Sequence, residues 1–195
     1  KLSTDRLQTA TGGKGFVIVS MEFATMPAEH LTVVQYKTYV EQEMKNLGAV
    51  RHMLQGKLKI NPKMTVLAGV SRGGWLVSSI IDYRPQIASA ALITCAGIKT
   101  GILETIFTLK DKAIFIGAGE NDQNLSAAKK AVIYFTNRGA KVEFECWKGL
   151  GHEVNPNSQV MQDWLIKVRT KLIADAQKAA MIKAARETAG KSSKQ

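Results

Sequence analysis

Apolar positions cluster along this chain in two ways. Five short runs, Gly15–Met21, Met64–Val70, Ser89–Cys95, Lys112–Gly117 and Lys141–Trp147, are compact and β-rich, with glycine, proline or polar residues around them. Such runs read as strands. The stretches between them, Leu31–Gln55, Trp75–Tyr83, Ser126–Arg138 and Ser158–Ala174, read as helices. Strands alternating with helices in this way predict parallel βαβ units and an α/β fold. "FVIV" and "AIFIGA" are apolar without alternation, as central strands covered on both faces are. The expected architecture is a mostly parallel sheet with helices on both faces, a three-layer αβα sandwich.

In such sheets the functional groups gather beyond the carboxyl ends of the strands. The stretch "MTVLAGVSRGGWLVSSII" places Ser71 where strand must become helix, fenced by Gly69, Gly73 and Gly74. Small residues two before and two after a serine let the backbone pass close to a side chain held on a sharp turn, which is the mechanical content of the G-x-S-x-G nucleophile elbow. After "KAIFIGA" come Gly119, Glu120, Asn121 and Asp122, and after "KVEFECW" comes a loop ending in His152. A serine, a carboxylate and a histidine thus follow three separate strands, in the chain order a hydrolase sheet requires.

Each member also has a plainer reading. Asp122 is placed to cap the helix that starts near Leu125, Glu120 is a rival acid on the strand terminus itself, and His152 alone is a loop histidine. His30 at a helix entry and His52 in a basic helical stretch follow no strand. The conjunction carries the argument, and Asp122 ranks ahead of Glu120.

Composition adds limits. With 195 residues, 45% of them hydrophobic, the chain suits one globular domain plus a tail, divided as 1–174 and 175–195. No apolar run approaches the ~18 residues that span a bilayer, so no integral membrane segment is expected. A chain opening on Lys1 is expected to be an exported mature form or a fragment. The formal charge is +11, and Lys167–Gln195 alone holds eight Lys or Arg against Asp175 and Glu187, a net +6. That segment reads as an alanine-rich basic helix ending near Gly190, without the aromatic interleaving or Cys/His signature of a nucleic-acid module. Nucleic acid is therefore not an expected partner. Cys95 and Cys146 lie in apolar runs and read as buried free thiols. Neither a metal-ligand spacing, a phosphate loop nor a dinucleotide loop is present, so no metal or cofactor is expected.

The stretches "INPKMTVLAGVSRGGW", "IDYRPQIASAALITCAG", "IFIGAGENDQN" and "VEFECWKGLGHE" resemble the α/β-hydrolase superfamily, and more narrowly its polyhydroxybutyrate depolymerase-like and feruloyl-esterase-like esterases. The resemblance runs from about Thr11 to about Leu165. It implies Ser71 as nucleophile, Asp122 as orienting acid, His152 as general base and the Arg72 N–H as one oxyanion donor. The family carries further strands and an "HG"-type oxyanion loop ahead of the stretch that resembles "GFVIVSMEF". Either an upstream segment has been lost, which is the expectation, or "GFVIVSM" fills that place and the N–H of Met21 or Glu22 is the second donor. The reading is a serine-dependent hydrolase of small-molecule carboxylic esters. The acyl groups are expected to be of modest size, because only "IKTGILETIFTLKD" follows the third strand before the next. Two rivals remain: a degenerate, non-catalytic binding domain, and a peptidase or thioesterase using the same residues.

Overall fold

The computed structural model describes residues 4–11, 15–22, 31–58, 60–61, 63–101 and 107–192, with side chains to 186. In chain order these form α1 (Thr4–Ala10), α2 (Val33–Lys57), β1 (Val66–Val70), α3 (Arg72–Tyr83), a 3₁₀ turn (Pro85–Ile87), β2 (Ala90–Thr94), β3 (Ala113–Gly119), α4 (Leu125–Asn137), β4 (Lys141–Trp147) and α5 (Gln159–Ser192). The four strands pair in the order β1-β2-β3-β4, all parallel.

Local chemistry sets the element ends. Thr32 opens α2 with a capping box: its hydroxyl accepts the Gln35 N–H while the Gln35 side chain accepts the Thr32 N–H. Pro85 disfavours helical backbone at Arg84, and α3 stops there. Beyond α4, Gly139 takes a φ of +88°, the left-handed turn that lets the Ala140 N–H reach back to the Phe135 carbonyl. The ends of α3 and α4 are tied by Asp82, which accepts from Arg138 at 2.6 Å and from the Tyr134 hydroxyl.

The alternation of side chains across β2 and β3 makes two cores. Ala91, Ile93, Ile114 and Ile116 face α3 and α4, with Tyr36 and Val40 of α2 packed behind. Ala90, Leu92 and Phe115 face the other way, against Met161, Trp164, Leu165 and Val168 of α5 and Ala10 of α1. The three-layer αβα arrangement is therefore as expected, with β2 buried throughout and β3 buried beyond its first residue. No helix among the described residues is long and apolar enough to cross a membrane.

Two expectations are corrected. Residues 15–22 run without a strand ladder, and β1 is an edge strand among the described residues. The apolar run there has the composition of a strand but pairs with no strand among the described residues, and it and β1 both line one cavity of about 700 Å³. Val17 and Val19 are left exposed. Cys146 is exposed, near the carboxyl end of β4, the other edge strand among the described residues, whereas Cys95 is buried as expected. The basic helix expected to end near Gly190 is the continuation of the one expected over Ser158–Ala174: α5 runs unbroken to Ser192, with no proline and no glycine before Gly190 to stop it. Helix α1 and the 3₁₀ turn were without an apolar signal. His30 lies outside the described residues, as does part of the connection between β2 and β3.

Candidate active site

Ser71 is the single residue between β1 and α3. Its φ of +53° and ψ of −123° put a non-glycine residue in strained backbone, as a reversal within one residue demands. The turn is this tight because Gly69 has no side chain: a Cβ there would lie 2.3 Å from the Gly73 carbonyl oxygen. The Ser71 N–H donates to the Thr94 carbonyl at 2.9 Å and its own carbonyl accepts the Trp75 N–H at 3.0 Å. Both backbone groups are thus used, and the hydroxyl is the group left to project.

The loops after β3 and β4 are stitched together. The Glu120 N–H donates to the Trp147 carbonyl at 2.9 Å and the Asn121 N–H to the Leu150 carbonyl at 2.8 Å. This brings Asp122 and His152 onto Ser71. His152 Nε2 lies 2.8 Å from Ser71 Oγ, and His152 Nδ1 lies 2.9 Å from Asp122 Oδ1. The Asp122 side chain is fully buried, and its Oδ1 also accepts the Asn124 N–H at 2.8 Å. Burial alone would raise the Asp122 pKa. The Asn124 N–H, His152 and the Cys95 thiol outweigh it and hold the carboxyl below its usual range. The cap reading of Asp122 is thus compatible with the histidine contact, since one oxygen serves both the loop turn and the imidazole.

Glu120 faces solvent and accepts the Gly149 N–H at 2.9 Å, so it shapes the histidine loop, and the carboxylate bonded to His152 is that of Asp122. Arg72 is exposed on the first turn of α3, whose N–H groups have no intrahelical acceptor. Met21 and Glu22 line the same cavity as Ser71 and Arg72. His52 is exposed on α2, away from any strand end.

Cys95 is the residue sequence reasoning passed over. It follows β2 as Ser71 follows β1, and that position was the available signal. Its Sγ, an Asp122 oxygen and a His152 nitrogen lie within 4.8 Å of one another. Such a trio offers one soft and two borderline or hard ligand atoms. Burial first, then the neighbouring Asp122, push the thiol up to about 12, so it stays protonated, while His152 Nδ1 is engaged with Asp122.

No protein-family model and no curated protein matches the sequence. Solved structures do match the fold. A Bacillus cereus carboxylesterase aligns with a TM-score of 0.64 at 15% identity, over 85% of this chain and 81% of that one. Arabidopsis thaliana SOBER1 aligns with a TM-score of 0.53 at 19% identity, over 67% of this chain and 65% of that one, so the match spans just under two thirds of that protein's length. A phospholipase/carboxylesterase from Dyadobacter fermentans aligns with a TM-score of 0.53 at 18% identity, over 73% and 68%. At these identities the likeness establishes architecture, and the architecture of this chain is the α/β-hydrolase fold.

Proposed function

We propose that this chain is a serine-dependent hydrolase of carboxylic esters, with Ser71 as nucleophile, His152 as general base and Asp122 as the orienting acid. The observation that carries this is the hydrogen-bonded line from Ser71 Oγ through the two ring nitrogens of His152 to Asp122 Oδ1, at 2.8 and 2.9 Å. A serine hydroxyl is a weak nucleophile at neutral pH. His152 Nε2 takes its proton as Oγ bonds to the acyl carbon. When the ester C–O bond breaks, His152 returns that proton to the departing alcohol. Water then repeats the sequence, with His152 as base, to release the acid and restore Ser71. Buried Asp122 holds Nδ1 protonated and stabilises the imidazolium.

The oxyanion formed in each half-reaction needs preorganised N–H donors. The Arg72 N–H is one, at the start of α3. Met21 and Glu22 share the cavity with Ser71, which favours the N–H of one of them as the second. The same residues serve a peptidase or thioesterase equally well, and the ester reading is preferred because proteins similar in fold include a carboxylesterase and a phospholipase/carboxylesterase. The substrate on this reading is a small-molecule ester, and no cofactor takes part in the steps above.

The test is intact-mass labelling with a fluorophosphonate, beside the Ser71→Ala variant. One adduct on the parent chain, absent from the variant, is expected. A folded parent chain that takes no adduct would overturn the assignment in favour of the non-catalytic alternative, and a variant that still takes one would overturn Ser71 as the nucleophile.

A further inference from the structure

Cys95 is held in an unusual way. It is a non-glycine residue at a φ of +53°, a conformation that costs on the order of 1 kcal/mol. Its surroundings impose it. The Cys95 N–H donates to the Gly117 carbonyl at 2.7 Å, and the Cys95 carbonyl accepts from Asn124 Nδ2 at 2.9 Å. Its Sγ lies 3.3 Å from the Glu153 carbonyl oxygen. One residue therefore touches the loop that carries Asp122 and the loop that carries His152.

The second observation concerns Asp122. Both N–H donors of its side chain, from Asn124 and His152, go to Oδ1. Oδ2 is enclosed from solvent and receives neither an N–H nor an O–H. A buried carboxylate oxygen without a donor is costly. Cys95 Sγ lies within 4.8 Å of a carboxylate oxygen of the same Asp122. A thiol has one proton and rotates freely about Cβ–Sγ, so it can turn from the Glu153 carbonyl to the carboxylate.

We propose that Cys95 is a positioning residue for the Asp122–His152 pair: its S–H donates to Asp122 Oδ2, fixes the carboxylate plane, and so keeps Oδ1 on His152 Nδ1. This rests on the reading of Ser71, Asp122 and His152 above, but concerns only the acid's hold on the imidazole. Cys95 does not touch substrate. The surrounding core cluster, with Leu92, Phe115 and Trp147, is apolar, so a mere packing role makes a different prediction: serine would be worse than alanine there.

The experiment compares Cys95→Ser, Cys95→Ala and Cys95→Gly in the full chain. The glycine variant removes the thiol and relieves the positive φ, so loss of the donor is read without added backbone strain. The readout is the His152 Nδ1–H resonance in ¹⁵N-histidine-labelled protein, assigned with His152→Gln, and its exchange rate with solvent. Parent and serine forms are expected to keep the resonance. The alanine and glycine forms should lose it or exchange about tenfold faster, the size of effect that removing one hydrogen bond to a charged group gives. An unchanged resonance in both the alanine and glycine forms, or equal loss in the serine form, would overturn the proposal. Missing fluorophosphonate labelling with the resonance intact would instead overturn the hydrolase reading, so the two failures are distinct.

Discussion

Gly119→Ala places a methyl group where the acid loop and the histidine loop meet. The new Cβ would lie 2.2 Å from the Gly151 carbonyl oxygen and 2.4 Å from that of Leu150, whereas ordinary contacts begin at 3.4 Å. Both opposing atoms are backbone, so no side chain can swing aside. The loops must part by roughly 1 Å, and a displacement of that size at a catalytic group costs on the order of a hundredfold in rate. The bond from the Asn121 N–H to the Leu150 carbonyl, now 2.8 Å, opens with them. Overpacking of this kind destabilises by about 1–3 kcal/mol. Each of those kcal/mol lowers Tm by about 2–4 °C in a domain of this size. The assay is turnover of a short-chain p-nitrophenyl ester together with the rate of fluorophosphonate adduct formation, with melting followed by circular dichroism. Gly151→Ala is the control, since a Cβ at Gly151 meets nothing within 4 Å. Activity of Gly119→Ala within threefold of the parent, or equal damage from Gly151→Ala, would refute the reasoning that loop closure sets the geometry.

Asp122→Asn should cut ester turnover by about 10⁴-fold, because the amide reverses the preference for the Nδ1–H tautomer, while Glu120→Gln should stay within a few-fold; the opposite ranking in steady-state kinetics would make Glu120 the working acid. The depressed pKa of Asp122 contributes stability that is present above the ordinary carboxylate value and is lost as pH falls through the folded one. Urea melts should therefore show the parent chain's advantage over Asp122→Asn constant above about pH 5 and shrinking below about pH 4. Residues 177–186 of α5 are exposed, whereas Leu172 still packs on the sheet. A chain ending at Ala174 is thus expected to keep its fold and turnover, and a collapse seen by circular dichroism would show that the rest of α5 is a structural cover.

Much of this was legible along the chain because it rests on local patterns. The ends of β1, β2, β3 and β4 follow apolar runs, and the glycines around Ser71 mark a turn that only small residues permit. Ser71, Asp122 and His152 each follow such a run, so their convergence came from strand ends alone. The rest depends on partners that sequence order does not reveal. Residues 15–21 have strand composition, but a strand also needs a neighbour's hydrogen bonds. Cys146 has apolar company in sequence and is solvent-facing in space, because exposure is set by what packs over each position and not by the neighbours in the chain. Cys95 gains its interest from contacts with Asp122 and Glu153, both far along the chain, and from a backbone conformation that no composition signals.

The position of β1 at the edge of the sheet bears on how the strand breathes. Amides alternate in direction along a strand. Since the Ser71 N–H and the Gly69 carbonyl both point to β2, the amides of Val66, Ala68 and Val70 point the other way, to the open side. Those three hydrogens are released by local opening at that edge, while the amides inside β2 and β3 wait for rupture of the sheet itself. The strand that carries the serine thus has one flank bonded into the sheet and one flank with no strand beside it among the described residues, whose amides are expected to exchange first. Its turn is held from a single side.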